Sequence, residues 1–595
     1  MRSGPEPAGS ASRPLSRRAF AKLGAATALA GSVLASSSPA VAARRVRGFD
    51  EPYDGFAPAS TRLHTATPEE AGLNTTEIEA IVADLRADLL PQVGGHPVYP
   101  GAVVLVGHAG KVVVHEAIGH AVKYADADGT ELPADEQVGM TSDTIFDMAS
   151  VSKLFTSIAV VQQLERGRVD LDSTVASYLP AFAANGKDAV TVRHLLTHTS
   201  GLPSWIPLWR DYPDKDARIH AVLSVRPSAP PATQYVYSDL NLITLGVLVE
   251  LVSASPLDVV VRDGITDPLR MVDTGYNPPA SKLDRIAATE YESDPPRGMV
   301  RGSVHDENAW SLGGVAGHAG IFSTAPDLAR LAQAMLNGGS YDGHRILSRE
   351  SVDAMLTDFN QSFPGHAHGL GFELDQRFYM GALSSPRTAG HTGFTGTSLV
   401  IDPLSRSFVI LLTNRVHPRR EWSNVSPSRR AVASRVAQAL AVSPRRGPTA
   451  WSADRLDGSM ATLTLSVALR ADRSRLGFEL FVDSEETDLL YLEVSRDAGL
   501  TWTLLPFVVT SRGRVGRHDG TIAGFAGRHW QQAYADIGGP PGEVQIRWRY
   551  VTDLSLSGRG VYVDDIRVAD DKGVLVDGER ESGRFVSDGW NEAER

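Results

Sequence analysis

Phe146-Asp147-Met148-Ala149-Ser150-Val151-Ser152-Lys153-Leu154-Phe155-Thr156 is the stretch on which the reading of this chain turns. Ser150 and Lys153 form a Ser-x-x-Lys, and on a helix that spacing sets a hydroxyl and an amine one turn apart on the same face. A serine hydroxyl is a poor nucleophile until a neighbour removes its proton, and a lysine does so only where burial or adjacent positive charge lowers its pKa. The tetrad alone is weak, because chance supplies roughly one in a chain of this composition. A capping Ser150 beside a solvated Lys153 fits it as well. The pattern predicts a helix from Ser150 to Arg166, stopped by Gly167.

Three further segments follow in the chain: Leu195-Leu196-Thr197-His198-Thr199-Ser200-Gly201-Leu202, then Tyr237-Ser238-Asp239, then His391-Thr392-Gly393. In this order, with the Ser150 segment, they resemble the serine β-lactamase, DD-peptidase and class C-like esterase superfamily, over about residues 65 to 440. Each motif is unspecific by itself; the ordered set is specific. The resemblance implies that Ser150 is acylated, that Lys153 holds or accepts its proton, and that Tyr237 shuttles a proton toward the leaving group and the deacylating water. It also implies an oxyanion hole from the backbone N–H groups of Ser150 and Phe394, worth roughly 3 kcal/mol in comparable acyl-transfer sites. His391 joins the catalytic set, and Thr392 and Gly393 line the substrate side. No cofactor and no metal are implied.

Two departures from the family pattern carry information. Where the family has asparagine, this chain has Asp239, which when ionised can only accept hydrogen bonds. Asp239 is expected to hold Lys153 charged and to repel a nearby substrate carboxylate. Either Tyr237 then takes more of the base role, or Asn241 supplies the missing donor. His391 in place of lysine weakens a fixed positive charge for a carboxylate, while Thr392 can still hydrogen-bond one. Val304 to Ala309 and Gly313 to Thr324 resemble a branch of the superfamily with penicillin-binding-protein-like DD-carboxypeptidases and hydrolases linked to cell-wall sugar turnover. His305, Asp306 and His318 in that region match no defined metal-ligand spacing, so a glycine-rich loop with hydrogen-bonded histidines is the expected role.

Around the motifs the pattern is α+β. Asn74 with Glu77 three positions on reads as a helix start, and Ile78, Ile81, Val82, Leu85 and Leu89 share one face. Val103 to Val106 and Lys111 to His115 read as a hairpin, Ser398 to Ile401 and Ser407 to Thr413 as strands, and Arg429 to Val442 as a helix. The fold implied is β-lactamase-like, an antiparallel sheet flanked by helices with a helical subdomain, over residues 65–442. Residues 443–455 read as a linker, 456–570 as a β-sandwich and 571–595 as a polar, frayed tail. Glu493 to Trp502 and Gly560 to Ile566 resemble jelly-roll accessory domains of the MAM and immune-inhibitor-A type. Asp564-Asp565 are read as capping a strand end in preference to binding calcium, and Trp502, Trp530 and Trp548 as core.

At the amino terminus Ser16-Arg17-Arg18-Ala19-Phe20-Ala21-Lys22, an apolar run from Leu23 to Leu34 and Ala40-Val41-Ala42 read as a twin-arginine export signal over residues 1–42, followed by a linker over 43–64. Export through that pathway predicts a secreted, periplasmic or cell-wall location, with no transmembrane anchor after the signal is removed. The 595-residue chain has no cysteine, which excludes disulfides, thiolate metal sites and a cysteine nucleophile. Its net charge of −12 includes a signal with four more basic than acidic groups, so the mature chain is near −16 and nucleic acid is an unsuitable partner. The expected function is a serine hydrolase acting on a muropeptide ending in D-alanine. A carboxylesterase, a weak β-lactamase, and a non-catalytic cell-wall or glycan binder working through the sandwich stay open as alternatives.

Overall fold

The computed structural model describes residues 55–453 and 456–594. The export signal expected over residues 1–42 lies outside them, as does the first part of the linker that follows it.

Strands β1 (Gly101–His108), β2 (Lys111–Val122), β3 (Glu373–Leu374), β4 (Ala389–Thr392), β5 (Ser398–Asp402) and β6 (Ser407–Thr413) form one sheet in the order β2-β1-β6-β5-β4-β3. These pairs are all antiparallel, and the short strand His64–Thr65 runs parallel to β2 at the far edge. Side chains alternate between faces with the period of two that a strand imposes. Val103, Leu105, Leu399, Ile401, Phe408, Ile410 and Leu412 enter one core, whereas Ala102, Val104, Val106, Val400, Val409 and Leu411 enter the other. The sheet is buried on both faces, so its central strands are apolar throughout.

Five helices bear on the site: α1 (Thr75–Ala87), α2 (Ser152–Glu165), α3 (Asp239–Ser253), α4 (Ala325–Leu336) and α5 (Ser426–Ala439). Asn74 caps α1 by accepting the Glu77 N–H, as its sequence predicts. Helices α1 and α5 cover one face of the sheet, locked together by Arg435, which reaches Glu77 at 2.8 Å and Asp84 at 2.9 Å. The helix expected over residues 429–442 starts at Ser426 and stops at Ala439; Pro427 suits its first turn, and Leu440 is already extended. On the other face α2 is buried along Ser152 to Gln163. It buries its apolar residues and its polar ones alike, and each Leu, Ile or Phe it buries stabilises the fold by about 1.5–3 kcal/mol. Ser150 precedes α2 in a tighter turn, Ala149–Val151, so the expected helix begins with a 3₁₀ turn. No single helix among the described residues is long and apolar enough to cross a membrane.

The carboxyl-terminal part is a two-sheet sandwich. Strands β7 (Ala450–Ala453), β9 (Arg473–Asp483), β11 (Gln531–Gly538) and β13 (Gly560–Asp570) share one sheet, and β8 (Met460–Leu469), β10 (Leu489–Ser495) and β12 (Gly542–Val551) the other. Leu463, Leu465, Phe478, Leu480, Ile546, Trp548 and Val563 fill the space between them. Trp548 is core, as expected, while Trp530 and Trp502 are half-buried. Two expected boundaries are corrected. Strand β7 lies inside the segment read as linker, and Gly573–Asp577, Phe585–Asp588 and Trp590–Ala593 are strands inside the segment read as a frayed tail. These are short edge strands held by a few anchors such as Trp590, so their polar composition conceals them.

The sandwich is fixed to the α+β part by buried charge. Arg528 donates to Asp402 and Asp483 at 2.7 Å each and to the carbonyls of Ala382, Leu383 and Ser384. Arg559 donates to the Leu440 carbonyl at 3.0 Å, and Arg377 meets Glu485 at 2.8 Å. Val442 packs with Phe481, Tyr562 and Trp530 at the same junction. Asp564 accepts the Arg445, Arg446 and Asp565 N–H groups, and because it lies inside β13 and not at a strand end, the expected strand-end cap is corrected: its carboxylate braces the segment that leads into β7.

Candidate active site

The nucleophile turn is held from behind by Asp147. Its buried carboxylate accepts the Ala149 N–H at 2.8 Å and the His305 N–H at 2.6 Å, and its carbonyl accepts the Thr395 hydroxyl at 2.7 Å. Ala149 adopts φ 45°, a left-handed conformation costly for a residue with a Cβ and tolerated where the surroundings impose it. The strained turn places Ser150 at the mouth of α2 with its side chain beside Lys153.

Lys153 is fully buried, and its three donors have three acceptors: Ser150 Oγ at 2.7 Å, Asp239 Oδ1 at 2.8 Å and the His318 carbonyl at 3.2 Å. Burial alone would lower its pKa, but Asp239 and then Tyr237 outweigh that and hold it above the ordinary lysine value. Lys153 is therefore an ammonium at neutral pH. Tyr237, whose ring centroid lies 4.9 Å from that ammonium, is pushed up to about 12 by burial, with Lys153 opposing and Asp239 reinforcing. Asp239 opens α3, where the helix dipole favours a carboxylate. Asp306 Oδ1 lies 2.8 Å from His318 Nε2, a contact that, against burial, keeps Asp306 below the usual carboxylate range.

The facing wall is β4 and the turn after it. His391 donates its Nδ1–H to the Thr392 carbonyl at 2.8 Å, so Nε2 carries the lone pair. Burial and then Lys153 push this imidazole down to about 3, and it is neutral. Gly393 has no room for a side chain: a Cβ would run into Thr397 Oγ1 and the Met148 carbonyl. Arg429 from α5 braces the turn by donating to the Gly393 carbonyl at 2.6 Å and the Thr397 carbonyl at 2.8 Å, and burial lowers its pKa to about 9. The Phe394 side chain stays exposed beneath the Arg415 guanidinium, 4.7 Å away. Ser150, Tyr237, Glu373, His391, Thr392, Gly393, Phe394, Arg415 and Arg429 line one cleft of about 500 Å³.

The structure thus brings Ser150, Lys153, Tyr237, Asp239, His391, Thr392, Gly393 and Phe394 together. Asn241 is corrected: it is fully buried, its amide lies 3.1 Å from His198 Nδ1 and its oxygen accepts the Ser200 hydroxyl at 2.6 Å. Packed there with both ends engaged, it lies outside the lining of the Ser150 cleft and does not face a substrate. His198 Nδ1 also accepts the Ser238 N–H at 3.1 Å, so this histidine of the family's turn positions the tyrosine segment. Asp147, Glu373, Arg415 and Arg429 are site residues that the sequence reading missed. Asp147 sat inside the quoted stretch, and the others act through contacts that no local spacing signals. Asp239, Asp306 and His318 bring ligand atoms within 4.8 Å of one another, but the Lys153 ammonium already occupies that acidic pocket.

A serine hydroxyl held by a buried ammonium, a tyrosine beside it and a glycine-opened strand turn opposite is an arrangement for acyl transfer. The family described as Beta-lactamase matches residues 80–434. The chain belongs to the beta-lactamase family. It is a serine hydrolase of the β-lactamase fold, and the match ends before the sandwich. A protein of Escherichia coli (strain K12) provisionally named D-alanyl-D-alanine carboxypeptidase is 32% identical over 390 residues, covering 60% of this chain and 86% of the relative. One of Salmonella schwarzengrund (strain CVM19633) with the same name is 31% identical over 409 residues, covering 63% and 90%. Among solved structures, a penicillin-binding protein homologue from Caulobacter crescentus superposes with a TM-score of 0.48 at 22% identity, covering 61% of this chain and 97% of that one.

Proposed function

We propose that this beta-lactamase family member is an exported DD-carboxypeptidase that forms an acyl-enzyme on Ser150 with D-alanyl muropeptides and releases it to water. The observation that supports this reading is that Ser150 Oγ, 2.7 Å from Lys153 Nζ, opens into a cleft whose lining includes Arg415 and Arg429 near the amino-terminal end of α5. Cationic groups there suit the terminal carboxylate of a D-alanyl peptide; an ester with a neutral alcohol has no use for them.

Because Asp239 keeps Lys153 charged, Lys153 acts as a fixed donor that stabilises the developing charge on Ser150 Oγ. Tyr237 takes the Ser150 proton as it gives its own to the leaving amine, so no free tyrosinate is needed. Deacylation runs the same exchange with water in place of serine. The N–H groups of Ser150 and Phe394 receive the oxyanion. The export signal delivers the folded chain to the compartment that holds such peptides.

The test is intact mass of the mature protein after incubation with a penicillin and with an activated short-chain ester, beside Ser150→Ala, followed by D-alanine release from D-alanyl-D-alanine peptides. A penicilloyl adduct absent from the variant, together with D-alanine release, is expected. Ester turnover with neither adduct, β-lactam hydrolysis nor D-alanine release would move the protein to the esterases.

A further inference from the structure

The Ser150 cleft contains a carboxyl group that the acyl-transfer chemistry does not use. Glu373 opens the short edge strand β3, opposite Gly390, which precedes His391 on the neighbouring strand. It lines the same cleft as Ser150 and Tyr237. Among the described residues, its buried Oε2 has no hydrogen-bond partner. The neighbouring histidine cannot supply one, since His391 donates its only ring proton to the Thr392 carbonyl and its buried Nε2 is itself an unpartnered acceptor. Where a lysine would place a fixed cation beside Glu373, this chain has a neutral ring. The Tyr379 hydroxyl is a protein donor beside Glu373, but a carboxylate accepts several hydrogen bonds, so its remaining acceptor sites and His391 Nε2 call for a donor on the ligand.

We propose that Glu373 is a specificity-determining residue that receives a primary ammonium group of the substrate. The inference rests on Ser150 as the nucleophile of the reading above and deepens that reading: the favoured acyl donor carries an amine as well as the carboxylate that faces Arg415. An ammonium fits better than a neutral amide because it adds charge complementarity to the hydrogen bond, and hydrogen bonds to charged groups are the stronger kind.

The groups that face Glu373 set its pH behaviour. Burial pushes it up to about 7, against the Tyr379 hydroxyl from the helix Arg377–Met380, Lys153 of α2 and Arg429 of α5. Near Glu373, Tyr235 is itself held protonated by burial and by this carboxyl. Ammonium binding therefore needs Glu373 ionised, and the preference should appear above pH 7 and fade below it.

The experiment uses the full mature chain and two activated esters that differ in one feature: a primary amine on a flexible aliphatic acyl chain, or the same amine acetylated. An amine of that type has a pKa of about 10.4 and stays charged across the range tested. The expected result is a kcat/KM ratio, amine over acetylated, of about tenfold or more at pH 8. That ratio should fall toward one below pH 6, and Glu373→Gln should hold it near one throughout. A ratio of one in the wild type at pH 8, or a preference retained by the variant, overturns the proposal. If Glu373→Gln does not fold, the wild-type profile decides, and a ratio flat in pH overturns it. Because both esters report acylation of Ser150 whatever the leaving group, a pH-dependent preference without D-alanine release would sink the carboxypeptidase reading and leave this one. Failure of both esters to acylate Ser150 would overturn both.

Discussion

Asp239 Oδ1 and Ser150 Oγ share one ammonium, lying 2.8 Å and 2.7 Å from Lys153 Nζ. The residue that makes the pair is the one that departs from the family's asparagine. It stabilises the charged lysine in a site where burial alone would lower its pKa. The nucleophile is thereby tuned by a donor rather than by a base.

Asp239→Asn removes that anchor and leaves burial to lower the Lys153 pKa. A one-unit fall is about 1.4 kcal/mol and makes the ammonium a stronger donor to Ser150 Oγ, and the lost carboxylate no longer repels the carboxylate of a penicillin, so acylation by a penicillin should rise about tenfold. Stopped-flow acylation measures it. An unchanged rate would refute the role given to Asp239.

Gly393→Ala places a Cβ against Thr397 Oγ1 and the Met148 carbonyl, the contacts that align the turn with Ser150. The Phe394 N–H should then leave its position, and kcat for ester hydrolysis should fall about 10²- to 10³-fold, as on losing an oxyanion donor. KM should change much less. A variant that folds and keeps wild-type kcat would show that the Phe394 N–H is not the donor.

Arg528→Ala leaves Asp402 and Asp483 buried without their common partner. Breaking a buried charge network in this way costs about 3–5 kcal/mol. Calorimetry should turn a single unfolding transition into two, with the sandwich and the α+β part melting apart. One transition at an unshifted temperature would mean that the guanidinium does not couple them.

Acid should destabilise the fold through its neutral histidines. Burial holds His368 at about 4 and His391 and His417 at about 3, and it places His198 well below its ordinary value. The unfolded chain takes up protons below about pH 6.5 that the folded chain refuses, so this stability is complete above pH 6.5 and is lost as pH falls toward the folded values. Glu292 and Glu373, raised by burial to about 7, act in the opposite sense but stop contributing to the slope below their unfolded value near 4.5. Chemical denaturation should therefore show a shallow loss between pH 6.5 and 4.5 and a steeper one below. Constant stability from pH 7 to pH 4 would contradict the neutral assignments.

Much of this site was legible because its chemistry is local. Ser150 and Lys153 lie one helical turn apart, and Tyr237, Asp239 and His391 sit in short motifs whose order survives any fold. The hairpin and the strands Ser398–Asp402 and Ser407–Thr413 showed in alternation, although their meeting, Thr413 opposite Ala102, is a long-range fact. What stayed hidden depends on tertiary contact. Asn241 looked free until packing set it on His198 and Ser200. Glu373 and Arg429 reach the cleft from a strand edge and a helix far along the chain. The last strands of the sandwich were concealed because Phe585 and Trp590 do the anchoring for otherwise polar segments.

Arg528 also bears on inheritance. An accessory module that only hangs from a linker can be exchanged between genes without touching the enzyme it accompanies. Here the two parts meet through carboxylates contributed by each, Asp402 on one side and Asp483 on the other, both answered by a single guanidinium. A graft of this sandwich onto another member of the family, or of another sandwich onto this enzyme, would strand an ion in the seam unless both surfaces changed together. The pair should therefore travel through evolution as one unit.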